Sequence, residues 1–582
     1  MPDRSVTVLK FGGSVLPREH DLAGAVHEIY RWVRRGQKVV AVVSALGKTT
    51  DRLLAQGYQY GAEPDPAALA SLVATGEQTS AALLALALDR AGIPAQVLDA
   101  TRIDLRTTGA VLDSSPKSLN ADAIRAALAE RPVAIVPGFI GLDDHDRTTL
   151  LGRGGSDFTA LFLAQQLDAG RCRLVKDVKG LYDHDPARPG PLARRFRTLT
   201  WDDALKLDGR IVQHKAVRFA RDHALPFEVG ALNATEATLV GPEPAQFGPS
   251  DEAPPPPLRI ALLGLGTVGL GVYRLLNDRP DAFEIVKVAV RTIRRAASEG
   301  VPAYLLTTDA AAAVRTECDV VVEAIGGLTP ARELIEQALR EGKHVVTANK
   351  AVIARFGEEL HALAEENGVR LLYSASVGGA VPAIEAVALA AREGDTPIQS
   401  IEGVVNGTCN FILDRLAEGV ALEEAVTIAQ AQGFAEADPS VDLNGSDAAE
   451  KLRILTRTAL GVDLPTDGIL RRGIDAQTPA LVREALADNK RVRIVARVVR
   501  DGGATIATVE PRVIDASHPF AQTRNEHNRV VIARTDGSQS IVHGKGAGRW
   551  PTAEAVFADL LDLTRGPLAT ITDLEEEALA VK

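Results

Sequence analysis

Lysines, carboxylates and glycines gather at a few points along the chain, and their spacing limits what they can do. Lys10 precedes the turn Phe11, Gly12, Gly13, Ser14. Glycines there let backbone N–H groups approach phosphate oxygens, and the lysine adds positive charge. The spacing is not GxxxxGK[ST], which argues against a P-loop ATPase. Further on, GRGGSD (Gly152 to Asp157) and KDVKGLYDHDP (Lys176 to Pro186) place polar groups beside glycines. Mid-chain, GLGTVG runs from Gly264 through Gly266, Thr267 and Val268 to Gly269. It follows an apolar run and leads into a helix-like segment, the context in which glycines of this spacing bind a dinucleotide. Where NAD-selecting folds place an acid, this chain has Arg291, with Arg294 and Arg295 close by. A cation there favours a 2′-phosphate, so NADP(H) is expected over NAD(H). Near the C-terminal third, Glu436, Asp438, Asp442, Asp447 and Lys451 form a chain-local cluster. Asp447 and Lys451 fall on one face of a helix expected to be capped by Ser446. Taken alone, the pair reads as an exposed ion pair of small value. The full cluster suits an amino-acid ammonium, or a carbonyl whose reduction needs a proton donor.

The elements that must carry these groups alternate. Val6–Lys10, Lys38–Ser44 and Val133–Val136 read as strands, with a helix from Phe158 and an Ala/Leu helix led into by ATGEQTS (Ala74 to Ser80). Such alternation implies a mostly parallel sheet covered on both faces, with ligands beyond its strand ends. Gly241 to Pro257 holds seven prolines and reads as an exposed, semi-rigid spacer. A dinucleotide-type first strand, Leu258–Leu263, starts immediately after it. The 582 residues therefore divide into separate folding units at that point. The net charge of −11, with no long basic run, argues against nucleic acid and anionic membrane surfaces as partners. Cys172, Cys318 and Cys409 are widely spaced, which suits a reducing compartment without a zinc site. No signal-peptide core is evident, and no uncharged apolar run reaches the roughly 18 residues of a membrane helix. A cytoplasmic protein is expected.

KFGGS, GRGGSD and KDVKGLYDHDP, in that order, closely resemble the aspartate kinase catalytic domain of the amino acid kinase family, over about residues 6 to 240. The resemblance implies ATP with Mg²⁺ as phosphoryl donor and the β-carboxylate of L-aspartate as acceptor. It implies that Lys10 stabilises the transferring phosphoryl group and that Asp157 orients the cationic groups. Gly12, Gly13 and Ser14 would meet phosphates. Ser44, Glu77 and Arg153 would hold the substrate, and Asp177, Tyr182 and Asp185 would lie along the nucleotide. Such chemistry is mostly positioning and positive charge. The chain departs from the family in three ways: Ser14 replaces a threonine, Lys176 stands where a threonine is common, and Ile211 occupies the place of a nucleotide-facing lysine. Lys215 or Lys179 could supply the missing charge. No room remains before residue 258 for the small regulatory ACT domains that usually follow, so feedback through them is expected to be missing.

TANK (Thr347 to Lys350), VGGAVP (from Val377), NGTCNFIL (from Asn406), AEADPSVDLNGSDAAEK and GKGAGRWPTAEAV (from Gly544) closely resemble homoserine dehydrogenase over about residues 258 to 582. The resemblance implies reversible hydride transfer between aspartate semialdehyde and homoserine. Lys350 and Lys451 would be the catalytic pair, Glu436 would bind the substrate amino group, and Asp442 and Asp447 would hold substrate and lysine. Gly326, Thr347, Asn349 and Lys350 would lie by the nicotinamide. For a lysine to act as an acid near neutral pH, its pKa is expected to be lowered. Backbone carbonyls of Val377 and Gly379 match a Na⁺ or K⁺ site of that family, but Ser374 replaces its glutamate, which counts against a metal there. The resemblance also implies a homodimer or homotetramer through the sheet of the substrate domain.

The expected architecture is α/β: an amino acid kinase-type parallel-sheet sandwich (1–242), a Pro-rich linker (243–257), a Rossmann dinucleotide-binding domain (258–385), an α+β substrate and dimerisation domain (386–543), and a C-terminal return to the nucleotide-binding domain (544–582). Two non-consecutive steps would then share one chain, with a separate enzyme making the semialdehyde between them. Two other readings stay open. The N-terminal half could be a nucleotide- or amino-acid-binding regulatory module, or a kinase for another amino acid or a carbamate.

Overall fold

The computed structural model describes residues 3–188, 192–232, 234–249, 255–392, 396–501 and 504–565. The chain splits into two compact units, dividing between Pro254 and Pro255, with the short piece Ala91–Ile93 counted in the second. Residues 250–254 of the expected linker and 566–582 of the expected C-terminal return lie outside the described residues.

The first unit is built on a nine-stranded sheet. An interior strand, Asp3–Phe11, lies parallel to Lys38–Val43 on one side and to the central strand Ala169–Lys176 on the other. These strands read as apolar runs because both faces are covered, as in parallel sheets generally. Their interior residues, such as Val8, Leu9, Val40, Val42 and Leu174, are fully buried. Their ends bring Lys10 and Lys176 to the same edge of the sheet. A small four-stranded sheet, Arg106–Ala110, Asp113–Ser118, Ile140–Leu142 and Thr148–Leu150, lies beside the main one.

Two expectations about this unit need correction. ATGEQTS does not lead into a helix; it lies inside one that runs from Pro66 to Ala91. The alanine- and leucine-rich sequence carries helix propensity straight through Gly76. That glycine serves close packing, since a Cβ there would stand 3.1 Å from the Ala45 methyl. By length and composition this helix could cross a membrane, yet half of its apolar window is buried in the protein. The spacer is also shorter than the prolines suggest. Gln246–Phe247 pairs antiparallel with Phe196–Thr200 at the sheet edge. Phe247 stacks on Phe196 with ring centres 4.6 Å apart, and the Arg194 guanidinium sits 3.8 Å above it. Proline is tolerated at such an edge because an edge strand need not donate on its outer side.

The second unit opens with a six-stranded parallel sheet ordered Leu306–Thr307, Phe283–Ala289, Leu258–Leu263, Val320–Glu323, His344–Thr347, Leu371–Leu372. This is the doubly wound order, whose switch point lies beyond the strands Leu258–Leu263 and Val320–Glu323. The helix Arg549–Arg565 returns to this sheet: Ala553, Val556, Phe557 and Leu560 are buried with Ile260 and Leu262. Between them lies a second six-stranded sheet, ordered Ile469–Arg471, Ala504–Asp515, Lys490–Asp501, Ile398–Val404, His527–Arg534, Gln539–Lys545. Along Lys490–Asp501 every residue from Val492 to Ala496 is buried. Val492, Ile494, Ala496 and Val498 face the core with helix residues such as Leu452 and Ile412. On the opposite face Val404, Val495 and Ile514 are buried with Phe520, while Ile506 and Ile541 remain exposed.

Candidate active sites

In the first unit, Lys10 stands one residue before the end of its strand, paired in register with Val42 and Leu174. Asp157 is the third residue of the helix Gly155–Leu167, which begins behind Gly154 at a φ of 76°. An acid in the first turn is favoured by the helix dipole. The Lys10 ammonium lies 2.8 Å from Asp157 Oδ1. Lys176 Nζ donates to both carboxylate oxygens, at 3.0 and 2.7 Å. All three residues are buried, with exposures of 5, 3 and 9% for Lys10, Asp157 and Lys176. Burial opposes the charge on Asp157, but the ammonium groups of Lys10 and Lys176 outweigh it and hold the carboxyl below its usual range. Burial also pulls the Lys176 ammonium down to about 8, against the attraction of Asp157.

Glu77 reaches the same region from the middle of its helix. Burial pushes its carboxyl up to about 8, opposed by a hydrogen bond from the Ala45 backbone and by Lys10. Its Oε2 is buried without a hydrogen-bond partner. The glycine turn is sterically required. A Cβ at Gly12 would stand 3.0 Å from Lys10 Nζ, and one at Gly13 would lie 2.8 Å from the carbonyl oxygens of Ala45 and Gly47. Ser44, at the next strand exit, donates its backbone N–H to Phe11 O at 3.0 Å.

The other residues expected at this site are less deeply buried than the cluster, and Asp177 adjoins Lys176 and attracts its ammonium. Arg153 and Asp177 are exposed and Tyr182 is half-buried. Asp185 shapes its own turn, accepting from the Ala187 N–H at 3.0 Å. Lys215 is not available as the missing cation: its Nζ donates to Asp113 Oδ1 at 3.0 Å, Ser114 O at 2.7 Å and Leu151 O at 3.3 Å. Ile211 packs against the apolar core.

In the second unit, Lys350 starts the helix Lys350–Glu366 and Lys451 lies in the helix Ser446–Leu460. Asp447 bridges them. It forms an ion pair with Lys350 and lies 2.8 Å from Lys451 Nζ. Asp447 is 3% exposed, so the pair is not the solvent-exposed one its spacing alone suggests. The cap also differs from expectation. Gly445, at a φ of 79°, is the N-cap, and Ser446 donates its N–H to Asn444 Oδ1 at 2.9 Å. Only glycine takes that left-handed turn at no steric cost. Asn406 completes the cluster, donating from Nδ2 to Asp442 at 2.7 Å and to Asp447 at 2.8 Å while its Oδ1 caps the helix Gly407–Ala417. Lys451 Nζ also donates to Val405 O at 2.6 Å.

The electrostatics reverse one expectation. Burial lowers the Lys350 ammonium, but Asp447, with Glu450 and Asp442 behind it, more than compensates, and its pKa is raised. Asp447 is held far below the ordinary range by the same two lysines, despite burial. Glu436 is exposed and does not touch this cluster.

The dinucleotide fingerprint tests well against the backbone. A Cβ at Gly269 would fall 2.0 Å from Gly264 O, so helix and strand approach too closely for any other residue. Gly266 faces open space at the start of the helix Thr267–Asn277, as do Gly326 and Gly327, at φ of 78° and 74°. Helix N-terminus and bare backbone there fit a pyrophosphate. The fully buried Glu323 shapes the opposite wall: it accepts from the N–H of Ile325 at 2.8 Å and Gly326 at 3.1 Å, and from Thr347 Oγ1 at 2.6 Å. Asn349 donates to Gly327 O at 2.7 Å. Exposed Arg291, Arg294 and Arg295 have no ion-pair partner among the described residues. Around Val377, Gly378 and Gly379 take φ of 82° and 54°. Ser374 binds Asp559 through its N–H and hydroxyl, at 3.0 and 2.7 Å. Among the described residues no group of three or more His, Cys, Asp or Glu could hold a metal.

Sequence reading missed three of these groups: Lys176 as partner of Asp157, Asn406 as the bridge between carboxylates, and Glu323 as the clamp of the glycine wall. Each sits at a strand exit next to a recognised motif, which was the available signal.

Both units match known families. A model of the amino acid kinase family matches residues 5–230. Models of the homoserine dehydrogenase NAD-binding domain and of homoserine dehydrogenase match residues 264–374 and 382–561. A homoserine dehydrogenase of Synechocystis sp. is 40% identical over 321 residues, covering 53% of this chain and 73% of that protein. One from Bacillus subtilis is 34% identical over 327 residues, covering 54% and 75%. The crystal structure of a homoserine dehydrogenase from Thiobacillus denitrificans superposes with a TM-score of 0.51 at 37% identity, covering 53% of this chain and 73% of that one. The chain belongs to the homoserine dehydrogenase family and carries an amino acid kinase family domain ahead of its dinucleotide-binding domain.

Proposed function

We propose that the chain catalyses two reactions: NADP(H)-dependent interconversion of L-aspartate 4-semialdehyde and L-homoserine, and ATP-dependent phosphorylation of L-aspartate to 4-phospho-L-aspartate. The observation that carries the first is the Lys350–Asp447–Lys451 cluster, closed on the buried Asp447, beside the glycine wall of the dinucleotide fold. The dinucleotide, when bound, supplies or accepts the hydride. Lys350 and Lys451 offer N–H donors to the substrate carbonyl oxygen, and a lysine passes a proton as negative charge develops there. An alkoxide is far more basic than any amine, so the raised Lys350 pKa does not prevent donation; it keeps the donor charged. Asp447 holds both ammonium groups in place, Asn406 holds Asp447, and Asp442 and the exposed Glu436 are the carboxylates for the substrate ammonium. The unpaired Arg291 supports a 2′-phosphate and hence NADP.

For the kinase reaction, support comes from Lys10 and Asp157 at the glycine turn, with Glu77 presenting an unpartnered carboxylate oxygen. Gly12 and Gly13 would approach phosphates, Arg153 would pair the aspartate α-carboxylate, and Mg²⁺ would ride on the nucleotide phosphates. The exposed apolar residues on the uncovered part of the outer face of the second sheet, Ile506 and Ile541, support a dimer through that face. Three buried free thiols suit a reducing, cytoplasmic setting.

One experiment separates the two halves. Both activities are assayed on the wild type, Lys10→Ala and Lys350→Ala. Each substitution should abolish one activity and spare the other. A wild type that reduces the semialdehyde but never forms aspartyl hydroxamate from ATP and hydroxylamine would favour a kinase-like domain that only binds nucleotide or amino acid.

A further inference from the structure

We propose that Lys176 is a second phosphate-binding cation of the kinase site, flanking Asp157 opposite Lys10 and taking the place of the basic side chain that position 211 lacks; this rests on the kinase reading of the first unit. Lys10 and Lys176 leave the ends of adjacent parallel strands, Asp3–Phe11 and Ala169–Lys176, and converge on one carboxylate. Two ammonium groups against one carboxylate leave an excess positive charge in a place only 3 to 9% exposed. Buried charge is tolerated when something compensates it. Beside a glycine turn with bare backbone, an anionic phosphoryl group is the compensating species. Lys215 is already spent on Asp113, Ser114 and Leu151, and Ile211 is packed in the core. Lys179, half-buried three residues further along the same loop, is the competing candidate.

In the transfer, an aspartate carboxylate oxygen bonds to the γ-phosphorus as the bond from phosphorus to the bridging oxygen breaks. ADP leaves with that electron pair, and Lys176 neither gains nor loses a proton. Its part is to hold charge on the oxygens, which is where most of such catalysis lies.

The test uses the full chain and hydroxamate formation, with Lys176→Met, Lys176→Arg and Lys179→Met compared with wild type. Lys176→Met should lower kcat/KM for ATP by about 100-fold, the range for losing one charged transition-state contact. KM for aspartate should stay within about threefold, as expected for a contact to the phosphoryl group alone. Lys176→Arg should restore most of the loss, and a loss of that size in Lys179→Met with Lys176→Met indifferent overturns the assignment. The wild-type rate should also fall above about pH 8, where Lys176, facing Asp157, Lys10 and Asp177, gives up its proton. That alkaline limb should vanish in Lys176→Arg, whose guanidinium stays charged, even though Glu77 titrates in the same range. An active wild type with an indifferent Lys176→Met overturns the assignment and leaves the kinase intact. If Lys176→Met melts early, a folded but inactive Lys176→Arg overturns it instead. A wild type that forms no hydroxamate overturns the kinase reading and this assignment with it.

Discussion

Lysines in both units share one design: a buried aspartate stands between two ammonium groups and fixes where they point. The consequences differ because the balance of burial and charge differs. At Lys350 the aspartate wins and the ammonium is stabilised. Replacing Asp447 with Asn should therefore leave only the weaker pull of Glu450 and Asp442 against burial and move the alkaline limb of semialdehyde reduction to lower pH. Activity should drop about 100-fold or more as the lysines lose their anchor, measured as kcat across pH 6 to 11. An unchanged limb would show that Asp447 does not govern Lys350. At Glu77 burial wins and the carboxyl rises to about 8. A folded pKa above the unfolded one means stability is fully present below the unfolded value near 4.5 and is lost as pH rises through about 8. Glu77→Gln should flatten that decline, read as the melting temperature of the first unit from pH 5 to 9.

At the scale of elements, close approach does the positioning. The strand Leu258–Leu263 and the helix Thr267–Asn277 meet where a Cβ at Gly269 would stand 2.0 Å from a backbone carbonyl, which cannot swing aside as a side chain can. Gly269→Ala should weaken dinucleotide binding at least about tenfold while leaving the kinase activity alone, by fluorescence titration with NADPH. Wild-type affinity in that variant would mean the turn relaxes freely. The edge strand Gln246–Phe247 works by stacking. Phe247→Ala removes its contact with Phe196 and Arg194, and should destabilise the first unit by about 1 kcal/mol. A denaturant midpoint unmoved by that change would return the segment to being a mere spacer.

At the scale of the molecule, the outer face of the second sheet, covered only in part by Phe520, remains to be accounted for. Rows across it carry Ile506 opposite Val499, and Val531 opposite Ile541. An antiparallel sheet can leave one face to water, but exposed branched apolar residues on it point to a partner surface. With a symmetric dimer across this face, Ile541→Glu together with Ile506→Glu should yield monomers by sedimentation. Retained dimers would place the interface elsewhere.

Much of this was legible from residue order. Glycine spacing, apolar strand runs and the proline cluster follow local rules, so KFGGS, GLGTVG and the division near Pro254 could be read directly. The Asp447–Lys451 pair was also visible, because a helix places positions four apart on one face. What the chain order could not carry was any contact between distant segments. Lys176 meets Asp157 across 19 positions, Asn406 meets Asp447 across 41, and Lys215 turns to Asp113 across 102. Likewise the signs of the shifts at Lys350 and Lys176 depend on how deeply each ammonium is buried against its aspartate. Sequence names the charged groups, but their depth and neighbours, and hence their protonation, arise only when the strands and helices pack.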